Sequence, residues 1–154
     1  MSDAHRRLAD LEMRLPPAPQ PAGNYLPAVR TGKLLFVAGQ LPLRDGKLML
    51  TGKVGEGGHS VADAARAARQ CTLNALAVVE ATGGLDAVTR VVRVGIHVNS
   101  APGFTAQPAV GNGASDFLVE VFGETGKHAR TAVGVNELPL DAAVEIDFLF
   151  EMAD

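Results

Sequence analysis

The chain predicts a single α+β domain in the order β-β-β-α-β-α-β-β, a mixed sheet covered on one face by two helices. Three observations carry that prediction. Residues 88 to 98 alternate, with Val92, Val94, Ile96 and Val98 on one side and Arg93, Gly95 and His97 on the other. Val144, Ile146, Phe148 and Phe150 repeat the same two-residue period near the C-terminus. Between Ser60 and Glu80 the apolar residues instead recur every three to four positions, the period of a helix with one buried side. The 154 residues suit one domain, and 47% apolar content is enough to bury a core without disulfides or metals.

The elements follow in order. Leu8, Leu11 and Leu15 stand at helical spacing, so a short amphipathic helix is expected over Ala4 to Leu15. The prolines at 16, 17, 19 and 21 end it in an extended connection. Residues 1–21 therefore read as an N-terminal extension, and residues 22–154 as the main domain. Leu26–Arg30 and Lys33–Ala38, joined through Thr31 and Gly32, read as a hairpin. A third strand, Lys47–Thr51, follows the Asp45–Gly46 turn pair. Gly52 to Gly58 lacks the ordered Gly-Lys-Ser/Thr of a phosphate loop and reads as a flexible loop.

Ser60 is a good N-cap for the long helix, and Gly83–Gly84 is its stop. Alanines dominate its apolar stripe, which lets it lie close to a sheet. In the second helix, Gly111 and Gly113 each cost up to about 1 kcal/mol relative to alanine. Its regular part is therefore expected to start near Ala114 and run to Gly123. Two last strands, Arg130–Glu137 and Ala142–Met152, flank Leu138 to Asp141 and are expected to pair as a hairpin.

Composition excludes several functions. The formal charge of −3 and a pI near 5.8 argue against general nucleic-acid binding. No apolar run is long enough to span a bilayer, and residues 1 to 8 lack the continuous apolar stretch of a secretory signal. One cysteine, Cys71, forms no internal disulfide and reads as a small buried side chain, so a cytoplasmic location is expected. His5, His59, His97 and His128 have no metal-ligand spacing, and no Ser/His/Asp signature or dinucleotide fingerprint is present. No metal and no cofactor are expected.

The candidate chemistry lies in the last two strands. If Glu137 pairs with Ala142, then Arg130 and Glu145 share a face, roughly 13 Å apart at ~3.3 Å per residue. Ala132 and Gly134 leave room between them. A small carboxylate would fit, gripped by Arg130 with its nitrogen or a water near Glu145. Two solvated charges on an open face would give the same pattern.

Three blocks resemble the RidA/YjgF family. They are Asn24 to Pro42 (NYLPAVRTGKLLFVAGQLP), Gln70 to Gly83 (QCTLNALAVVEATG), and Ala129 to Val135 (ARTAVGV) continuing through Leu138–Pro139 to Val144–Ile146. The resemblance implies a chorismate-mutase-like fold and a homotrimer with ligand pockets between subunits. It also implies cofactor-independent hydrolysis of reactive 2-imino or enamine acids to 2-oxo acids and ammonia. By the same resemblance Arg130 binds the substrate carboxylate and Glu145 positions water. Tyr25, Gly39 and Asn112 match pocket residues. His128 stands where the family commonly has proline, and residues 110–116 depart from its pattern, which marks a divergent branch. A non-catalytic ligand-binding trimer is the alternative; the ribonuclease activity attached to the family name fits the acidic charge poorly.

Overall fold

A computed structural model of the chain describes residues 3–154. Helix α1 (Asp3–Asp10) precedes β1 (Ala28–Thr31) and β2 (Leu34–Gln40). A small hairpin, β3 (Leu43–Arg44) and β4 (Lys47–Leu48), leads to α2 (Val61–Thr82). Then come β5 (Val88–Asn99), α3 (Gln107–Phe122), β6 (Ala129–Val135) and β7 (Val144–Met152). Five strands form one mixed sheet in the order β1-β2-β7-β5-β6, with β5 and β6 parallel and every other pair antiparallel. Helices α2 and α3 cover one face, as the sequence predicts.

The burial pattern follows the two-residue period. In β7, Val144, Ile146, Phe148, Phe150 and Met152 are all buried. In β5 a bulge between Val91 and Arg93 shifts the inward set to Val91, Val94, Ile96 and Val98, so Val91 replaces Val92 in the core. Against them lies the small-residue face of α2, where Ala64, Ala67, Ala68, Cys71 and Ala75 are fully buried. Ser60 caps α2 by accepting a hydrogen bond from the Asp63 backbone N–H at 3.1 Å. Burial pushes the Cys71 thiol well above its ordinary pKa, so it acts as a packing group.

Five expectations are corrected. First, β6 and β7 are not a hairpin, because β5 lies between them. The α3 crossover makes β6 a parallel neighbour of β5, and β7 fills the other side of β5. The connection between β6 and β7 bridges the end of β5, where buried Asn99 donates to Asp141 Oδ1 (3.2 Å) and the Ala142 carbonyl (3.1 Å). Second, α3 begins at Gln107 despite its glycines. A Cβ at Gly113 would strike the backbone of Ala65 in α2, and one at Gly111 would strike the Ile96 side chain. Close packing thus outweighs helix propensity at both positions.

Third, the segment 52–58 is pinned rather than flexible. Val54 is fully buried, its N–H donates to the Asn99 carbonyl (2.8 Å), and its carbonyl accepts from Ala101 (2.9 Å). Fourth, the third strand is only Lys47–Leu48 and pairs with β3 outside the main sheet. Asp45 (φ 52°) and Gly46 (φ 78°) form its tight turn, both left-handed as a two-residue hairpin turn of this hand requires. Fifth, α1 ends at Asp10 and the chain turns through Glu12 (φ 57°). Its Ala4 and Leu8 are buried in the same core as the sheet, and Arg7 donates to the Val121 carbonyl of α3 (3.4 Å).

Candidate functional site

The parallel register places Arg130 beside Val94, whose side chain faces the helices, and Arg130 reaches the same way. Its guanidinium lies against the N-terminal half of α3. Nη1 donates to Asn112 Oδ1 (2.9 Å) and Ser115 Oγ (3.1 Å), and Nη2 donates to the Pro108 carbonyl (3.3 Å). Gly111 makes room, since a Cβ there would stand 3.2 Å from Nη1. No described carboxylate pairs with Arg130: its three acceptors are an amide, a hydroxyl and a carbonyl. Three of five N–H donors are used, which leaves Nε–H and one Nη2–H for an incoming anion.

Glu145 is on the other face. It stands opposite His97 of β5, whose Nδ1 lies 3.2 Å from the Glu145 carbonyl. The carboxylate lies against Gly39, where a bulge between Val37 and Gln40 interrupts the pairing of β2 with β7. A Cβ at Gly39 would lie 3.2 Å from Glu145 Cδ and closer still to Oε1. Glycine is needed there for space, because its φ is not left-handed. Half-burial is the main force raising the Glu145 pKa; His97 opposes the rise and Asp147 adds to it. Asp147 in turn lies over Gly95 and pairs with Arg93 at 3.6 Å.

Beside Gly39 is a cavity of about 130 Å³ walled by Pro19, Gln20, Ala22, Tyr25, Gly39 and Leu140. The extended proline segment therefore forms part of the wall. Tyr25 is 53% exposed, and its Oη accepts from the Ala22 backbone N–H at 3.4 Å. Leu140, which also lines the cavity, is in a left-handed conformation (φ 57°) and 76% exposed.

The five predicted site residues thus fall into two groups. Arg130 and Asn112 meet on the helix side of the sheet's outer strand. Gly39 meets Glu145 on the open side of β2 and β7, and Gly39 and Tyr25 line one cavity that Glu145 does not. The shared face expected for Arg130 and Glu145 is not found within one chain, because β5 intervenes and the two side chains leave the sheet on opposite faces. Ser115 and His128 beside Arg130, and His97 and Asp147 beside Glu145, were not selected by the sequence reading. The alternation of β5 did put His97 on the open face; Ser115 and His128 have no local spacing that would pair them.

A family model described as "YjgF/chorismate_mutase-like, putative endoribonuclease" matches residues 5–152 of the chain. The chain belongs to the RidA/YjgF family. Protein TCP17 of Trypanosoma cruzi is 47% identical, over 94% of this chain and 91% of that one. A Dermatophagoides farinae protein named 2-iminobutanoate/2-iminopropanoate deaminase is 34% identical, over 86% and 88% of the two chains. Among solved structures, Atu1372 of Agrobacterium tumefaciens superposes with a TM-score of 0.89 at 43% identity, covering 98% of this RidA/YjgF chain and 92% of its own.

Proposed function

We propose that this RidA/YjgF protein is a cofactor-independent hydrolase of reactive 2-imino or enamine carboxylates, working as a homotrimer with its sites between subunits. The carrying observation is the division of the candidate site. Among the described residues Arg130 has no acidic partner, and Glu145 is half-buried with its proton affinity raised, on the opposite face of the same sheet. A second copy laid against the first joins one subunit's arginine to its neighbour's Glu145, Gly39 and Tyr25. The relative named as a 2-iminobutanoate/2-iminopropanoate deaminase supports the substrate class.

In this reading Arg130 takes the substrate carboxylate through Nε–H and the spare Nη2–H. The imine carbon is then held near Glu145. Glu145 accepts a proton as water adds to the C=N carbon, returns it to nitrogen as the C–N bond breaks, and then takes the proton of the new hydroxyl as it becomes the carbonyl. The products are a 2-oxo acid and ammonia. A protonated imine is already electrophilic, so orientation and a well-placed base suffice. Burial favours the role, because a carboxylate of raised pKa is a stronger base near neutral pH.

Ammonia release from 2-imino acids generated in situ tests the proposal. Wild type should accelerate release, and Arg130→Ala should lower kcat/KM by about 10²–10³-fold, the value of two charge-assisted hydrogen bonds. A wild-type rate equal to buffer would reject the deaminase. Binding without turnover would instead identify a ligand-binding trimer.

A further inference from the structure

The guanidinium of Arg130 is the first link of a hydrogen-bonded chain. Its Nη1 donates to Ser115 Oγ at 3.1 Å. Ser115 Oγ lies 2.9 Å from His128 Nε2, and His128 Nδ1 lies 2.7 Å from the Gly126 carbonyl. A carbonyl only accepts, so Nδ1–H donates to Gly126. The Ser115 hydroxyl accepts from Arg130 and shares a hydrogen bond with Nε2. The chain ends on the backbone just before β6. Ser115 comes from α3 and His128 from the approach to β6, so the chain also ties together the two elements that hold the arginine. All three side chains are partly buried, where hydrogen bonds fix orientation more firmly than in water.

We infer that Ser115 and His128 are positioning residues that fix the rotation of the Arg130 guanidinium and thereby set affinity for the carboxylate of the ligand. This rests on the proposed role of Arg130. Asn112, an exposed side chain, holds Nη1 from one side; the Ser115–His128 pair holds it from the other. Together with the Pro108 carbonyl they occupy three donors and leave the same two, Nε–H and one Nη2–H, for every incoming anion. Without the Ser115 hydroxyl the guanidinium can turn in its plane, and a bound carboxylate must supply the ordering itself. Neither positioning residue touches the reacting carbon, so binding should suffer and the chemical step should not.

The test is calorimetric titration with 2-oxobutanoate, a small 2-oxo acid, alongside the ammonia-release assay, at temperatures well below each variant's Tm. Ser115→Ala and His128→Leu should each weaken binding about fivefold, near the worth of one ordinary hydrogen bond, and raise KM similarly with kcat within about twofold. The double variant should lose no more than either single one, because a chain is broken at any link. His128→Gln should recover most of the loss, since its amide can hydrogen-bond the Ser115 hydroxyl where Nε2 did. Unchanged binding in Ser115→Ala and His128→Leu, with Arg130→Ala still defective, overturns the inference and leaves the anchor role standing. Additive losses that His128→Gln does not recover also overturn it. Wild type that ignores 2-oxobutanoate, or Arg130→Ala that binds it normally, overturns the anchor role itself.

Discussion

The two sides of the sheet solve opposite electrostatic problems. On the helix side, a cation is surrounded by neutral acceptors from Pro108, Asn112 and Ser115, which fix its position and leave its charge uncompensated. On the open side, a carboxylate is packed over a glycine with a second acid nearby, and its proton is held more tightly. The first arrangement favours gripping an anion; the second favours moving a proton. They are separated by a central strand, so each cluster is folded by one chain, and in the proposed trimer their cooperation depends on a second.

The largest effect should come from breaking that dependence. Val29 is 51% exposed and Phe36, its cross-strand partner, 46%, an apolar pair on the sheet face that carries no helix. Phe36→Asp should convert the proposed trimer into a 16.0 kDa monomer by sedimentation and remove activity while leaving the far-UV spectrum unchanged. A fully active monomer would refute the split site.

A second change acts on the open side alone. Gly39→Ala meets only the movable end of Glu145, so the fold should tolerate it with little change in Tm. The displaced carboxylate should cost up to about 10²-fold in kcat, the usual penalty for an ångström of misplacement. Equal loss of Tm and activity would mean that Gly39 serves the fold instead.

The smallest effect is in stability and has a definite sign. Because Glu145 holds its proton more tightly when folded, the native state binds more protons than the unfolded chain above the free glutamate pKa of about 4.3. Wild type therefore loses stability as pH rises through that window, a loss that Glu145→Gln cannot suffer. The Tm of Glu145→Gln should match wild type near pH 4, exceed it at pH 7, and come with lost turnover. A Tm advantage at low pH that disappears on raising pH would contradict the burial assigned to Glu145.

Periodicity made most of the fold legible. The strands β5 and β7 and the helix α2 repeat their apolar residues over nine or more positions, and each occurs close to where the pattern puts it. The β6–β7 connection was misread for a physical reason. Two strands with a short link resemble a hairpin, and nothing local reveals that β5 will enter between them. The start of α3 was misread because helix propensity at Gly111 and Gly113 counts the cost of glycine but not the approach to Ala65 and Ile96 that glycine permits. In the candidate site, Arg130 and Glu145 are legible from the period of the last two strands together with the family resemblance. Their supporting partners were hidden: Ser115 and His128 are 13 residues apart, and Asp147 reads as an ordinary outward residue of a strand.

The contact of Gly113 with Ala65 has a consequence beyond packing density. Helix α3 carries Asn112 and Ser115 on the same turn that rests, through Gly113, on the backbone of α2. The long helix is therefore the datum from which the height of the guanidinium is measured, and glycine 113 is the thinnest available shim. Any side chain inserted there would lift the arginine's support off its reference surface. Volume changes along the buried alanine stripe of α2, remote from every ligand atom, would be transmitted as a change in where the anion sits. In the proposed function, drift in that stripe is a route to retuning ligand preference without altering a single residue of the pocket.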